Sequence, residues 1–217
     1  MNKEIIGFYG IDNFDIVLYL ANLLKGLGKT VLMIDNSESG SLACSVPVLS
    51  ELDSKNEVIE YQGIGFTTLE YDDYIAAGYD YILVHYGFIK NETFKFCTRL
   101  VYSVNQLKHN VEKMNNLTNV GEIPKQVLFC DYVSCKIDQK YILDKLKLET
   151  TEDNLFVFDL DLYDIKNRIL SQYNSTVNFK KITPAVKDYL INTVKILCPE
   201  ISEKEIKKIY NKVRRSK

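Results

Sequence analysis

The chain has 217 residues, which is enough for one α/β domain with a sizeable hydrophobic core. Its formal net charge of −2 and its charged fraction of 26% argue against a protein that coats nucleic acid. Five scattered cysteines without a secretion signal indicate reduced thiols, and no apolar run reaches the roughly 18 residues of a membrane span, so we expect a cytoplasmic protein.

The first elements are a strand, a glycine turn, an amphipathic helix and a second strand. The strands are predicted at Ile5–Tyr9 and Thr30–Ile34, with Gly10 in the turn. A P-loop protein with this arrangement binds phosphate on backbone N–H groups at the helix N-terminus. It also needs a lysine for the phosphates and a Ser/Thr hydroxyl for magnesium. In their place the turn has Asp12, Asn13, Phe14 and Asp15.

A second, misleading motif follows the helix, where Gly28, Lys29 and Thr30 spell the end of a Walker A sequence. The first glycine of that motif would fall at Leu23, and the triplet precedes a strand instead of a helix. A phosphate placed there would meet helix C-terminal carbonyls, the negative end of the helix dipole. We therefore interpret Gly28 as a helix C-cap.

The rest of the chain alternates strands with helices. A polar loop at Asn36–Ser45 precedes two short strands around Gly63, which indicate an edge hairpin. Buried strands are predicted at Tyr81–His85, Gln126–Cys130 and Leu155–Phe158. Helices are predicted at Asn91–Lys113, near Gln139–Leu146, near Leu162–Ser171, from Pro184 with Thr183 as its cap, and from a capping box at Ser202 and Glu205. This order predicts a three-layer, P-loop NTPase-like (Rossmann-like) α/β fold with a mainly parallel sheet and helices on both faces.

Residues Lys3–Leu42 resemble the opening of the MinD/ParA family, the deviant-Walker ATPases of the SIMIBI class. That family has a KGGxGKT[ST] loop, a helix ending near a GK pair, and a strand ending in IDxDxxGxL; here the corresponding tail reads GKTVLMIDNSESGSL. Tyr79–Gly87 (YDYILVHYG) resembles the family's YDYIIIDTPP segment. The resemblance implies one MinD/ParA-like domain over residues 1–217, with an amphipathic basic helix at about residues 202–215. It places Gly10 at the second loop glycine.

The nucleotide-binding positions of the family carry other residues in this chain. The resemblance places Asn13 at the phosphate-binding lysine, Phe14 at the magnesium-binding threonine and Asp12 at the last loop glycine. It places Ser37 at the aspartate that orients water and His85 at the aspartate linked to magnesium. Phenylalanine cannot ligate a cation, and histidine is a poor ligand for magnesium. These replacements together predict the loss of phosphoryl transfer.

Each of these positions also has a structural interpretation. Asp12, with Asp15 close by, would repel nucleotide phosphates, but Asp12 and Asn13 could instead cap the first helix. Asp35 either ends its strand as a turn residue or keeps the family's link between the phosphate loop and the switch region. His85 lies at a strand C-terminus, where α/β sheets bind ligands, or it is hydrogen-bonded locally.

Two surfaces are candidates for binding. Phe14, Tyr86 and Phe88 lie near loops through which the family dimerises, and we expect them to form an interface. The alternative is that Phe14 and Tyr86 fill the vacated nucleotide pocket and leave a monomer. The terminal helix has an apolar face and a basic remainder, which would suit an anionic membrane or DNA. Its alternative is packing on the sheet with a solvated edge. The basic residues are Lys204, Lys207, Lys208, Lys212, Arg214 and Arg215.

The leading hypothesis is a cytoplasmic, non-hydrolysing MinD/ParA-like pseudo-ATPase. It would be a scaffold or positioning factor for a bacterial machine of plasmid or chromosome partition, pilus formation, secretion or conjugation. It would need no cofactor, metal or small-molecule substrate, and its partners would be proteins, including itself or an active paralogue. One alternative is a divergent ATPase switch that binds ATP and magnesium. The other is a DNA- or membrane-surface module that acts through the C-terminal helix, peripheral at the membrane.

Overall fold

The structure is a computed structural model that describes residues 3–47, 58–115 and 123–215. Within these residues, eight strands form one sheet. They are β1 (Glu4–Gly10), β2 (Val31–Asp35), β3 (Ile59–Tyr61), β4 (Ile64–Thr67), β5 (Tyr81–Gly87), β6 (Arg99–Val104), β7 (Lys125–Tyr132) and β8 (Leu155–Asp159).

The strands lie in the order β3-β4-β2-β5-β1-β6-β7-β8, and all neighbouring pairs are parallel except β3 and β4. The antiparallel pair is the edge hairpin predicted around Gly63, which has a φ of +71°. Strands β2, β5 and β1 are neighbours in the sheet and run parallel, so their carboxyl ends lie at the same edge. That edge brings the loops after β1, β2 and β5 together.

Helices cover both faces of the sheet, so the predicted fold class is confirmed. One face packs against α1 (Phe14–Gly26), α5 (Pro184–Leu197) and α6 (Glu203–Val213). The other face packs against α2 (Lys108–Met114) and α3 (Gln139–Leu146). The remaining helix, α4 (Leu162–Asn174), packs beside a 3-10 turn at Ala43–Ser45. Two further 3-10 turns lie at Glu92–Phe96 and Glu152–Asn154.

The predicted helix at Asn91–Lys113 is wrong. The structure has a 3-10 turn, strand β6 and the short helix α2 over this segment. Strand β6 lies between β1 and β7 with both of its faces covered, so Leu100–Val104 are all buried. A nearly continuous apolar run, interrupted here only by Ser103, satisfies the period of a helix as well as that of a buried strand. The error removed one central strand from the predicted sheet.

The Gly28–Thr30 segment ends α1, as predicted for a C-cap. Gly28 has a φ of +79°, and its N–H donates to the carbonyl of Lys25 at 2.8 Å. The N–H of Lys29 donates to the carbonyl of Leu24 at 3.1 Å, which completes a Schellman motif. The Lys29 ammonium binds the Glu200 carboxylate at 2.9 Å, at the far end of α1 from the β1–α1 loop.

The helix-start predictions are confirmed in position and corrected in one contact. Helix α5 begins at Pro184, but Thr183 makes no side-chain cap hydrogen bond. Its hydroxyl donates to the carboxylate of Asp164 at 2.8 Å, which ties the start of α5 to α4. Helix α6 begins as predicted, with the Ser202 hydroxyl accepting from the Glu205 N–H at 3.3 Å.

Candidate functional site

The loop between β1 and α1 is fixed against strand β6. Gly10 has a φ of +106°, and a Cβ added there would lie 2.0 Å from the carbonyl oxygen of Ser103. The N–H of Ile11 donates to that same carbonyl at 3.0 Å. A glycine is therefore required at the turn, because a side chain would collide with the neighbouring backbone.

A buried histidine lies between two carboxylates at the edge where β1, β2 and β5 end. His85 is only 1% exposed, and Asp35 is its partner in the β2–β5 register. The Nδ1 atom of His85 is 3.5 Å from Asp35 Oδ1, and its Nε2 atom is 3.6 Å from Asp12 Oδ1. Both distances exceed a normal hydrogen bond, and neither ring nitrogen has a hydrogen-bond partner among the described residues. In place of the local hydrogen bond that was one of its two interpretations, His85 makes two longer contacts with carboxylates.

Asp35 organises the loop that follows β2. Its Oδ1 accepts from the N–H of Ser37 at 3.0 Å and from the Ser37 hydroxyl at 2.6 Å, and its Oδ2 accepts from the N–H of Ala43 at 2.8 Å. Burial acts to raise the pKa of Asp35, but the contacts with His85, Ser37 and Ala43 outweigh it and hold the pKa below its usual value. The ionised carboxylate therefore holds both ends of the segment from residue 37 to residue 43.

Asp12 holds the same loop from the other side. Its Oδ1 accepts hydrogen bonds from the hydroxyls of Ser39 and Ser41, each at 2.8 Å. The Asp12 side chain is 45% exposed, whereas Ser41 is buried and its carbonyl accepts from Gln172 of α4 at 3.2 Å. Two hydroxyls and an imidazole thus converge on one carboxylate. An anionic ligand would attract the same set of groups.

A second charged cluster lies beside the first turn of α1. Arg168 of α4 contacts Asp131 with Nη2 at 2.6 Å and Nη1 at 3.4 Å, and its Nε is 3.8 Å from Asp15 Oδ2. Burial raises the pKa of Asp15 to about 6, although Arg168 acts to lower it and Asp164 adds to the rise. Sequence reasoning named Asp15 but missed Arg168 and Asp131, although Asp131 directly follows a predicted buried strand, which is the position where α/β sheets place site residues.

A cavity of about 270 Å³ opens beside Asp12. Gly10 and Gly87 contribute backbone to it, and Phe88 forms its apolar side. Its charged lining residues are Asp12, Glu38 and Lys113. The Lys113 ammonium lies 5.1 Å from the centre of the Phe88 ring, a cation–π distance.

Comparison with known proteins places this arrangement in a fold family. No protein-family model and no curated protein matches the chain. Solved structures do match it. The MinC:MinD cell division protein complex of Aquifex aeolicus has a TM-score of 0.62 at 15% identity, over 92% of this chain and 97% of that chain. MinD of the same organism has a TM-score of 0.61 at 14% identity, over 92% and 98%.

A ParA family ATPase from Chlorobium tepidum TLS has a TM-score of 0.52 at 13% identity, over 97% of both chains. The chain has the MinD/ParA-type SIMIBI fold. The resemblance seen in the sequence is therefore confirmed at the level of fold. Sequence identities of 13–15% show the fold alone. The role of each residue in the β1–α1 and β2 loops therefore follows from its own contacts in this chain.

In this MinD/ParA fold, residues Asp12, Asn13 and Phe14 after β1 make hydrogen bonds and packing contacts within the protein. The helix-cap interpretation is right for the position of Asn13 and wrong for its side chain and for Asp12. Asn13 occupies the N-cap position of α1 without a side-chain cap bond, and its amide donates to the Ser103 hydroxyl. Asp12 accepts from the two serines of the β2 loop instead. Phe14 is 5% exposed and belongs to the core beneath α1.

Two of the three aromatic residues predicted to form an interface, Phe14 and Tyr86, are buried inside the domain. The Tyr86 ring is fully buried and stacks on the Tyr9 ring at 4.5 Å with an interplanar angle of 9°. The Tyr86 hydroxyl contacts the Thr93 hydroxyl at 2.9 Å. Phe14 is also buried, so Phe88, half-buried at the mouth of the cavity, is the one of the three predicted interface residues with substantial exposed surface.

Helix α6 uses its apolar face for packing. Ile206 and Tyr210 are buried, and a Cβ added at Gly26 of α1 would lie 2.8 Å from Ile209, which shows how closely the two helices approach. The basic residues predicted for anionic surfaces, Lys204, Lys207, Lys208, Lys212, Arg214 and Arg215, are all exposed. The apolar face is therefore not free to enter a bilayer. The basic side chains face outwards, together with Glu203, Glu205 and Asn211.

Metal binding and membrane spanning find no support in the part of the chain that the structure describes. Over residues 3–47, 58–115 and 123–215, no group of three or more His, Cys, Asp or Glu side chains is arranged to hold a metal ion. Over the same ranges, no helix has the length and apolar character needed to cross a membrane.

Proposed function

We propose that this chain is a MinD/ParA-like scaffold or spatial-positioning factor that does not hydrolyse ATP. The observation that carries the proposal is the position of the Asp12 carboxylate. It lies in the loop where P-loop proteins bind phosphate, and the hydroxyls of Ser39 and Ser41 are already hydrogen-bonded to it. An internal anion thus takes the place of a nucleotide phosphate.

Electrostatics oppose a second anion at this loop. A phosphate at contact distance from Asp12 would be repelled by about 1 kcal/mol in water and by about 4 kcal/mol at the effective dielectric near a protein surface. Glu38 lines the same cavity, and Lys113 is the one cation of the lining. Phe14 has no group that binds a cation, and it is buried in the core. These residues leave no apparatus to neutralise the charge of phosphoryl transfer.

The internal anion also supplies a mechanism for acting without nucleotide. Asp35 binds both ends of the segment from residue 37 to residue 43, and Asp12 binds its middle through Ser39 and Ser41. His85 lies between the two carboxylates. The loop is held by the protein's own side chains, so its binding surface is formed constitutively. The MinC:MinD structure is a complex of two proteins, which supports a protein partner for this chain as well.

Thermal unfolding with ATP and magnesium tests the proposal. A ligand at 100 times its dissociation constant adds about 2.7 kcal/mol of stability, which raises the midpoint of a chain of this size by several degrees. We expect no rise with ATP, with or without magnesium, and no release of phosphate. A magnesium-dependent rise together with phosphate release would favour the divergent ATPase instead.

A second candidate function, binding to an anionic surface, is supported by the outward-facing basic residues of α6. Because the apolar face of α6 is packed on α1, such binding would be electrostatic and salt-dependent. Co-sedimentation with duplex DNA and with phosphatidylserine vesicles, at low and high salt, tests it. Reversing the charges of Lys204, Lys208 and Lys212 should abolish binding, whereas reversing Lys136, Lys140 and Lys145 should not. Equal loss in both triple variants would contradict a role for α6.

A further inference from the structure

Helix α4 packs with its polar side towards the protein, which is the reverse of a usual surface helix. Its buried side chains are all polar: Asp164, Asn167 and Ser171. Arg168, on the same side of the helix, contacts Asp131 with Nη2 at 2.6 Å. Ile165 and Leu170 are half-buried at the flanks of this side. Much of the contact between α4 and the rest of the domain is therefore polar.

The opposite side of α4 is apolar and exposed. Leu162, Ile169 and Tyr173 follow one another at i, i+7 and i+11, and they are 79%, 52% and 85% exposed. Tyr163, which is 56% exposed, lies beside them. The two tyrosines alone expose about 200–350 Å², because a fully buried aromatic side chain covers about 150–250 Å². The largest apolar patch on a typical monomer is about 300–600 Å² and often binds another molecule.

The charges on this exposed side are positive. Lys166 lies between Leu162 and Ile169, at i+4 from the first, and it makes no ion pair with any described residue. The Lys181 ammonium lies 5.3 Å from the centre of the Tyr163 ring, at the edge of the same surface. Within α4, all of which the structure describes, no exposed side chain is negatively charged. We call the residues Leu162, Lys166, Ile169 and Tyr173 the α4 stripe.

We propose that the α4 stripe binds an acidic amphipathic helix of a partner protein. The apolar side chains of the stripe would contact apolar residues of that helix at helical spacing. Glutamate or aspartate residues beside them would pair with Lys166 and Lys181. Tyrosine suits the core of such an interface, since it is enriched there relative to the rest of a protein surface.

The position of Lys166 argues against two other occupants. In an antiparallel, two-fold pairing of α4 with a second copy, the midpoint of the stripe lies within two residues of Lys166, so the two ammonium groups would face each other. In a membrane, the same ammonium would lie between apolar side chains inserted among lipid tails, where a charge is costly. An acidic helix instead neutralises it.

This surface rests on the proposed function in one respect, because it names a partner for the scaffold. It depends on the packing of α4 and not on the state of the nucleotide loop. Phosphate release would therefore contradict the proposed function and leave this inference intact, whereas loss of peptide binding at α4 would contradict this inference alone.

An NMR titration of the full chain with two designed helical peptides tests the stripe. Both peptides carry leucine at helical spacing on an alanine background, with glutamate in one and lysine in the other. We expect the glutamate peptide to shift saturably the amide resonances of Leu162–Asn174, and the lysine peptide to shift none of them. Equal binding of the two peptides would overturn the proposal, as would saturable shifts confined to other residues or no saturation by the glutamate peptide.

Substitutions on the stripe provide the second measurement. Ile169→Gln combined with Tyr173→Gln should remove binding of the glutamate peptide without altering thermal unfolding, because both side chains are exposed. Tyr74→Gln, at a tyrosine that is 79% exposed outside α4, is the matched control and should leave the affinity unchanged. Unchanged affinity in the folded double variant would contradict the assignment.

Reversing the charge of the stripe should reverse its preference. Lys166→Glu should weaken binding of the glutamate peptide about tenfold, because an attraction becomes a repulsion, and it should allow the lysine peptide to bind. A folded Lys166→Glu variant with the preference of the wild type would contradict the proposed charge pairing.

Sedimentation of the full chain, alone and with phosphatidylserine vesicles, separates the other occupants. We expect the Ile169→Gln, Tyr173→Gln double variant to match wild type in both self-association and vesicle binding. Self-association that the double variant abolishes would assign the stripe to a second copy, and vesicle binding that it abolishes would assign the stripe to a membrane. Either result would overturn the proposal.

Discussion

The carboxylate of Asp12 accepts a 2.8 Å hydrogen bond from the hydroxyl of Ser41, and this bond joins the loop after β1 to the loop after β2. Ser39 donates to the same oxygen at the same distance. The two loops lie at the carboxyl edge of a parallel sheet, where α/β proteins bind their ligands. In this chain, side chains of the two loops bind each other at the position where such a ligand would lie.

Removal of the Asp12 carboxylate should loosen the β2 loop. Asp12→Ala leaves the hydroxyls of Ser39 and Ser41 without their acceptor, and hydrogen bonds to charged groups contribute about 1.5–3 kcal/mol each when well formed. Because Asp12 is half-exposed, we expect a loss of about 1–2 kcal/mol in the free energy of unfolding, measured in urea. Glu38→Gln, a charge change on an exposed neighbour, should cost less than about 0.5 kcal/mol. Equal effects of the two substitutions would refute the anchoring role of Asp12.

Gly10→Ala should be strongly destabilising, because the new Cβ would meet the Ser103 carbonyl at 2.0 Å in a backbone conformation with positive φ. We expect a loss above about 3 kcal/mol or a failure to fold. Gly28→Ala is the matched control: its φ is also positive, but no atom lies within 4 Å of the added Cβ. It should cost about 1 kcal/mol. Similar losses at both glycines would mean that the contact with β6 is unimportant.

Asp15 should make stability depend on pH in a defined direction. Burial raises its folded-state pKa from 3.8 to about 6, so the folded chain binds more protons than the unfolded chain between these values. The stabilising contribution of Asp15 is present below about pH 4 and is lost as the pH rises through 6. Asp15→Asn should therefore gain stability relative to wild type from pH 4 to pH 7, by at most about 3 kcal/mol. Urea unfolding at several pH values measures this difference, and a constant difference would rule out the shift.

Self-association through the face around Phe88 stays a prediction. Phe14 and Tyr86 are buried, so Phe88 is the residue through which a substitution can disturb an interface without disturbing the core. Light scattering should give a dimer for wild type and a monomer for Phe88→Asp. Phe96→Asp, on an exposed 3-10 turn, should remain dimeric. A monomeric wild type, or a dimer indifferent to Phe88→Asp, would remove the proposal.

Much of the fold was predictable because strongly apolar strands alternate with amphipathic helices. Strands β1, β2, β5, β7 and β8 lie where the sequence predicts them, within one or two residues at each end. Strand β6 was missed because its run of Leu100–Val104 fits two periodicities, and only its pairing with β1 and β7 decides between them.

The site was predictable only in part. Asp12, Asp35 and His85 were identified by their positions at strand ends, but their mutual contacts depend on strand order, which local sequence does not determine. Arg168 is a long side chain from a distant helix, and its ion pairs with Asp15 and Asp131 arise from tertiary packing. The acceptor role of Asp12 likewise depends on the path of the β2 loop, so helical capping was the simpler expectation.

The most direct test of the central claim is isothermal calorimetry of the purified chain with ATP, in the presence and absence of magnesium. If Asp12 takes the place of a nucleotide phosphate, no binding tighter than millimolar should appear, and magnesium should make no difference. Micromolar affinity that requires magnesium would contradict this account.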